Sequence, residues 1–482
     1  MFLSWTASLG ATSYNVKRAT TIGGPYTTIT NVTTTSLVDN GLADGTTYYY
    51  VVSALNADGE SANSSEKSAT PMVIPLVYSL ENTGANCAAP PLPPVPPPGS
   101  FTFIEPLPDP FTWANDPLNM GGTRSAAFSD WKCHRAQIKA QIENYEIGLK
   151  PAVDATNIFA SYSNTIPNVS GTLTVIVTNN NQTLTLTCAI SIPPTATAPY
   201  PIVIGMNSAN GSLPAQDFLT RGIATLTYSH DQVTTYNSPK NTDPYYRLYG
   251  PALNVDNTGQ YSAWAWGVSR IIDGLQKVTN SLPIDLNHIC VTGCSYAGKM
   301  ALFSGAFDER VALTVAQESG GGGDTSWRYS HTEPAGTVEG LDQTSSQWFS
   351  KSMFLFGGTN VSYLPEDHHE LMAMCAPRAL YCTGNTDYTW LSNPSAFVCG
   401  EACARAYETL GIGDRFGFNI DGGHSHCTFP SDQESDLGYF LDKFMKGQTN
   451  LSQTIRTAPG SYSTINYGRW TVWWGTTNAV FP

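Results

Sequence analysis

A serine at position 295 sits where the apolar run Ile289-Cys290-Val291-Thr292 breaks into Gly293-Cys294-Ser295-Tyr296-Ala297-Gly298-Lys299, followed by apolar Met300-Ala301-Leu302-Phe303. Strand, tight turn and helix in that order form a nucleophile elbow, in which small residues two before and two after the serine let strand and helix approach. Gly293 and Ala297 hold those places. The turn exposes the hydroxyl, and the helix start aims backbone N–H groups, that of Tyr296 first, at a developing oxyanion. The chemistry this allows is acyl transfer, if a base takes the hydroxyl proton and an acid orients the base. Asp421-Gly422-Gly423-His424-Ser425-His426-Cys427 offers two imidazoles on a Gly-rich loop. Two acids lie between. Glu318 ends the run 311–316 and enters Ser319-Gly320-Gly321-Gly322-Gly323; Asp387 follows the run 379–383. Spacing alone leaves both open.

Such a constellation needs a rigid sheet to carry it. The runs 200–206, 223–228, 289–292, 311–316 and 379–383 are short and apolar on both faces, with helical stretches at 261–278 and 400–410 among them. Strands of this kind alternating with helices predict a parallel sheet covered on both sides. With the order serine, acid, histidine, that is the pattern of a three-layer α/β-hydrolase sandwich. Residues 1–71 differ. Leu3, Trp5, Tyr14, Val16, Tyr26, Tyr48, Tyr50 and Val52 recur at strand spacing among turn signals such as Gly23-Gly24 and Asp58-Gly59, which predicts a small antiparallel sandwich. The run AAPPLPPVPPPG at 88–99 predicts an extended polyproline spacer. The expected domains are therefore 1–72, an all-β module; 73–100, a Pro-rich linker; 101–446, the hydrolase; and 447–482, a tail without clear period or assigned role.

Composition narrows the partners. The 482 residues carry 24 Lys plus Arg against 38 Asp plus Glu, a formal charge of −14. Nucleic acid and anionic membrane surfaces call for a basic footprint and are not expected partners. No apolar run approaches the ~18–20 residues of a membrane span. Charged residues make up only 13%, about half the usual ~25%, with Ser, Thr, Asn, Gly and Tyr in their place. An extracellular protein is expected. The start MFLSWTAS shows neither the basic region nor the apolar core of a leader. None of the ten cysteines falls into a CxxC pair or a Cys/His run at zinc spacing, so neither metal nor cofactor is expected. Cys188 and Cys290, inside apolar runs, are the best candidates for plain buried thiols.

GCSYAGK, QESGGGG, PEDHHELMAMCAPRALY, DYTWL and GGHSHCTFPSDQ stand in the order and spacing of the glucuronoyl esterases, carbohydrate esterase family 15, and QYSAWAWGVSRIIDGL at 260–275 matches as well. The resemblance spans roughly residues 100–445. It implies an α/β-hydrolase that cleaves esters between 4-O-methyl-glucuronic acid on xylan and lignin alcohols, so that the expected partner is a glucuronoxylan or lignin–carbohydrate ester. Position by position it implies Ser295 as nucleophile, Glu318 as acid and His426, the histidine before a cysteine, as base. Asp387 is kept as the alternative acid. It further implies disulfides Cys294–Cys427 and Cys87–Cys133, and sugar contacts from Lys299, Trp390 and, on a looser match, Gln343 and Gln347. Cys375, Cys382, Cys399 and Cys403 stay unassigned. Residues 1–71, with NVKRATTIGG and DGTTYYYVVSALNADGESANSS, resemble a fibronectin type III domain lacking its usual first strand.

One departure has consequences. The family places arginine after the serine, where it helps hold the oxyanion, and this chain has Tyr296. Loss of one oxyanion donor typically costs ~10²–10³ in rate. Tyr296 keeps its backbone N–H for that purpose, but a phenol supplies no fixed charge. An acetyl or feruloyl xylan esterase on the same fold, or a catalytically weak carbohydrate-binding relative, are the alternatives. His368 and His369 are read as structural, Trp264 and Trp266 as core, and the protein as a monomer.

Overall fold

The computed structural model describes residues 1–39, 42, 43, 45–71, 74–87, 97–113 and 124–472. Most of the Pro-rich run, 88–96, lies outside this set, as does the tail from 473. The chain divides into two compact units, 1–75 and 76–482.

In the first unit the alternating residues form antiparallel strands. Ser13–Ala19 pairs with Thr27–Val32 on one side and Tyr48–Asn56 on the other, while Phe2–Ser4 pairs with Ser36–Val38 in a second, two-stranded sheet. Val16, Tyr48 and Tyr50 are buried, with Leu3, Trp5, Ile29 and Leu37 packed against them. Period-two patterning therefore places its apolar set on one shared face.

In the second unit a ten-stranded mixed sheet carries the site. Its strands are β1 (Ile158–Ile166), β2 (Ser170–Asn179), β3 (Gln182–Ser191), β4 (Tyr200–Met206), β5 (Ala224–Tyr228), β6 (Ile284–Cys294), β7 (Leu313–Gln317), β8 (Ala379–Asn385), β9 (Phe416–Asp421) and β10 (Ile455–Thr457). The spatial order is β10-β9-β8-β7-β6-β4-β5-β3-β2-β1. From β10 to β5 every pairing is parallel, and β3, β2 and β1 add an antiparallel edge. The periodicity agrees. β2 alternates buried with half-buried residues and β3 buried with exposed ones, whereas β4, β7 and β8 are buried throughout. An antiparallel edge wets one face, and a parallel centre under helices wets neither. The expected α/β-hydrolase sandwich is the fold observed.

Close helix packing depends on small residues. A Cβ on Gly293 would stand 2.3 Å from the carbonyl oxygen of Ala297, and one on Gly305 would overlap the Thr314 hydroxyl of β7 at 1.8 Å. The helix Tyr296–Phe307 thus lies directly on its strands. Trp264 and Trp266, in the helix Gln260–Lys277, are fully buried core.

Two boundaries differ from the sequence expectation. Residues 76–87, expected in the linker, belong to the second unit. Tyr78 N–H donates to the Glu309 carbonyl (3.0 Å), Thr83 N–H to the Glu309 carboxylate (3.0 Å), and Glu81 pairs with Lys150 and Arg270. A polar segment can pack onto a domain when its acid, here Glu81, neutralises buried cations. The tail also joins the fold, since β10 extends the sheet beside β9 and Trp470 is buried near Leu107.

PEDHHE is structural. His368 shares a proton between Nε2 and Glu146 (2.7 Å) and donates from Nδ1 to the Gly323 carbonyl (2.6 Å), pinning the Gly-rich loop that follows Glu318. The neighbouring Glu370 closes a capping box with Asp367, and burial pushes its carboxyl up to about 8. The unfolded chain releases this proton near pH ~4.3. The folded chain keeps it until about 8, so stability falls as pH rises through that interval. Glutamine retains the capping acceptor without the proton. Glu370→Gln is expected to melt above wild type by a margin that widens from about pH 5 to about pH 8, as read by thermal melts of the two proteins.

Candidate active site

The residues expected to do chemistry all emerge at the carboxyl ends of central parallel strands: Ser295 after β6, Glu318 after β7, Asp387 after β8 and His426 after β9. Ser295 has φ 59° and ψ −127°, the sharp turn of an elbow. Its N–H donates to the Gln317 carbonyl (3.0 Å), and its own carbonyl takes the Lys299 N–H (3.0 Å), so the turn is held on both sides. Glu318 (φ 44°) and Cys427 (φ 64°) are likewise left-handed. Such non-glycine positions cost ~1–3 kcal/mol each and persist where surrounding structure imposes them.

Those positions meet around one carboxylate. Glu318, 1% exposed, accepts from His426 Nδ1 (2.5 Å) on Oε2 and from the Cys427 N–H (3.0 Å) on Oε1. Cys427 is disulfide-bonded to Cys294, with Cα atoms 5.7 Å apart. The residue before the serine is therefore bonded covalently to the residue after the histidine. His426 N–H donates to the Tyr388 hydroxyl (2.9 Å), and its ring lies 5.3 Å from that of Tyr388 and 5.8 Å from that of Trp390.

The alternative residues have other partners. Asp387 accepts from the Gly423 N–H (2.9 Å) and braces the histidine loop. His424 pairs through Nε2 with Asp421 (3.0 Å). Burial holds the Asp421 carboxyl up at about 6, while the hydrogen bond from His424 pulls the other way. The second disulfide joins Cys87 to Cys133. Cys188, Cys290, Cys375, Cys382, Cys399 and Cys403 are buried free thiols. Among the described residues one group, Cys294, His426 and Cys427, has metal-holding proximity, but its two sulfurs are already bonded to each other.

Beside the serine, Lys299 is buried, with Nζ 2.8 Å from Glu339 and 5.1 Å from the centre of the Trp348 ring. Glu339 also accepts from the Thr344 hydroxyl (2.8 Å), and its N–H donates to the Trp390 carbonyl (2.9 Å). Trp390 is 46% exposed, so its ring is a surface wall and not core. Gln343 lines a neighbouring hollow with His331, Glu333 and Val338, whose wall includes none of Ser295, Lys299 and His426. The Gln347 carboxamide is held by the Ser345 hydroxyl (2.8 Å). The same 339–348 segment brings Glu339 and Trp348 to Lys299, two residues the sequence expectation does not include. A signal existed: a lysine one turn into an otherwise apolar helix needs a carboxylate partner.

Similarity decides the family. The family model described as "Glucuronyl esterase, fungi" matches residues 175–411. The 4-O-methyl-glucuronoyl methylesterase of Cerrena unicolor is 38% identical over 382 residues, 76% of this chain and 75% of that protein. The chain belongs to the glucuronoyl esterase family. The 4-O-methyl-glucuronoyl methylesterase 1 of Wolfiporia cocos is 40% identical over 383 residues, 76% of this chain and 86% of that protein. Among solved structures, the glucuronoyl esterase catalytic domain from Hypocrea jecorina aligns with TM-score 0.68 at 34% identity, covering 77% of this chain and 96% of that one. A mutant glucuronoyl esterase from Sporotrichum thermophile, in complex with methyl 4-O-methyl-beta-D-glucopyranuronate, aligns with TM-score 0.67 at 32% identity, covering 77% and 95%.

In this glucuronoyl esterase family member the two crosslinks should act differently. Removing the 133-residue-spaced bridge with Cys294→Ala/Cys427→Ala is expected to cost about 3–5 kcal/mol and to lower kcat. Cys87→Ala/Cys133→Ala is expected to lower stability with kcat unchanged. Urea melts and ester turnover on both variants separate the two effects.

Proposed function

We propose that the chain hydrolyses 4-O-methyl-glucuronoyl esters that link glucuronoxylan to lignin alcohols, through an acyl-enzyme on Ser295. The observation that supports this assignment best is the Glu318–His426 contact of 2.5 Å, held by the same cysteine that is bonded to the residue before the serine. His426 Nε2 takes the Ser295 proton, and Oγ attacks the ester carbonyl. The charge that forms on the carbonyl oxygen meets the Tyr296 N–H at the helix start. Collapse expels the alcohol, which receives the proton from His426. Water, activated by the same imidazole, then releases the uronic acid and frees the serine. Glu318 fixes the imidazole orientation and stabilises its protonated form. Lys299, already neutralised by Glu339, suits hydrogen bonding to sugar hydroxyls more than attraction of an anion, and exposed Trp390 offers an apolar wall beside the base.

Tyr296 favours a second substrate class, acetyl or feruloyl esters of xylan, because it brings a ring and no charge next to the nucleophile. The first unit serves as a fibronectin type III-like spacer in a monomeric enzyme, and two disulfides and low charge content support an extracellular location.

With the benzyl ester of glucuronic acid, wild type is expected to turn over and Ser295→Ala to lose at least about 10⁴-fold in kcat. Glu318→Ala is expected to lose far more than Asp387→Ala. Parallel rates on acetyl, feruloyl and uronate esters, compared as kcat/KM, check the substrate class.

A further inference from the structure

We propose that the side-chain amide of Asn207, held in place by Tyr296 and His230, is the second oxyanion donor of this enzyme. The inference rests on the acyl-transfer role assigned to Ser295 above. In this fold the oxyanion site combines the N–H after the nucleophile with a donor from the loop after a neighbouring strand. Here that loop begins at Asn207, directly after β4, which pairs with the nucleophile strand at Gly205 and Thr292. The loop lies against the elbow, since a Cβ on Gly211 would stand 3.3 Å from Gly293. Its backbone donor at 207 is committed to the Tyr228 carbonyl (2.8 Å), and the Ser208 hydroxyl and Asn210 amide are bonded within the loop. The Asn207 side chain, by contrast, is exposed. One of its two amide hydrogens goes to the Tyr296 hydroxyl oxygen (2.9 Å), which leaves the other for a substrate oxygen.

The support behind that amide is ordered. The Tyr296 hydroxyl stands 3.2 Å from His230 Nε2, and His230 Nδ1 stands 3.1 Å from the Asp231 carboxylate. In the tautomer protonated on Nδ1, Nε2 accepts from the phenol, whose oxygen accepts from Asn207. Burial lowers the His230 pKa and favours this neutral ring, against the pull of Asp231. Aromatic contacts lock both residues: Tyr296 against Tyr236 at 4.4 Å and Trp348 at 6.4 Å, His230 against Trp264 at 4.8 Å. Tyr296 and His230 are thus positioning residues, and Asn207 presents a fixed dipole where the family resemblance implies a guanidinium.

Asn207 has φ 63°, so the variants must tolerate a left-handed backbone. Asn207→Gly removes the amide without strain, and Asn207→Asp keeps its shape without a donor. Three readouts apply: hydrolysis of benzyl glucuronate, hydrolysis of p-nitrophenyl acetate, and the rate at which a neutral fluorophosphonate labels Ser295. Both variants are expected to lose about 10²–10³-fold in kcat and to label correspondingly slower, with KM within about threefold and melting temperature little changed. Tyr296→Phe is expected to lose less, and Tyr296→Phe/Asn207→Gly to be no slower than Asn207→Gly. Wild-type kcat and labelling rate in both Asn207 variants, or a loss confined to KM, would overturn the proposal. A wild type that cleaves the acetate and not the glucuronate would overturn the uronate assignment alone, since acetate turnover and labelling still decide the role of Asn207. A serine that neither turns over ester nor labels would overturn both.

Discussion

The buried Glu318 carboxylate bonded to His426 is the contact on which the site depends. A carboxylate away from water is tolerable only when its lone pairs are taken, and here the His426 ring and the Cys427 N–H take them. Each donor is itself constrained, the ring by Tyr388 and Trp390 and the N–H by the bond to Cys294. Three left-handed residues, Ser295, Glu318 and Cys427, converge on this contact. Backbone strain is thus concentrated where side chains must be aimed, and the parallel sheet below supplies the rigidity that holds it.

Around this centre, charge is balanced before any substrate arrives. Lys299 is paired with Glu339, and Asp324 holds the loop after Glu318 through the Ser319 hydroxyl (2.6 Å) and the Gly320 N–H (3.0 Å). Burial raises the Asp324 carboxyl to about 6, opposed by those same hydrogen bonds. Behind the loop, His368 bridges Glu146 and Gly323. Such chains of satisfied buried groups make a site stiff, because displacing one member leaves another unpaired. With Lys299 already paired to Glu339, the surroundings of the serine offer oriented dipoles and pre-neutralised charges rather than a free cation.

Much of this was legible in the residues. Gly293 and Ala297 announce close strand–helix contact, and the Cβ distances give the reason. Runs apolar on both faces announce a parallel centre. Other features were not legible. The 76–87 segment looks like linker because its one acid, Glu81, finds its cations, Lys150 and Arg270, only after folding. The strand Ile455–Thr457 is too short to show a period and exists because β9 offers an unpaired edge. The contacts of Glu339 and Trp348 with Lys299 were not legible either, since a loop has no repeat from which to infer side-chain direction.

The chain's order of residues determined the chemistry on offer: a serine in an elbow, two acids and two histidines downstream, and an uncharged residue after the serine. Spacing did not choose among them, and the family resemblance named Glu318 and His426. The tertiary structure puts those two within hydrogen-bond reach, gives Asp387 and His424 other partners, and ties the Tyr296 phenol to Asn207 and His230. The physical reason is that hydrogen bonding acts within about 3 Å, and residues a hundred positions apart reach that distance only through the register of the sheet and the bond between Cys294 and Cys427.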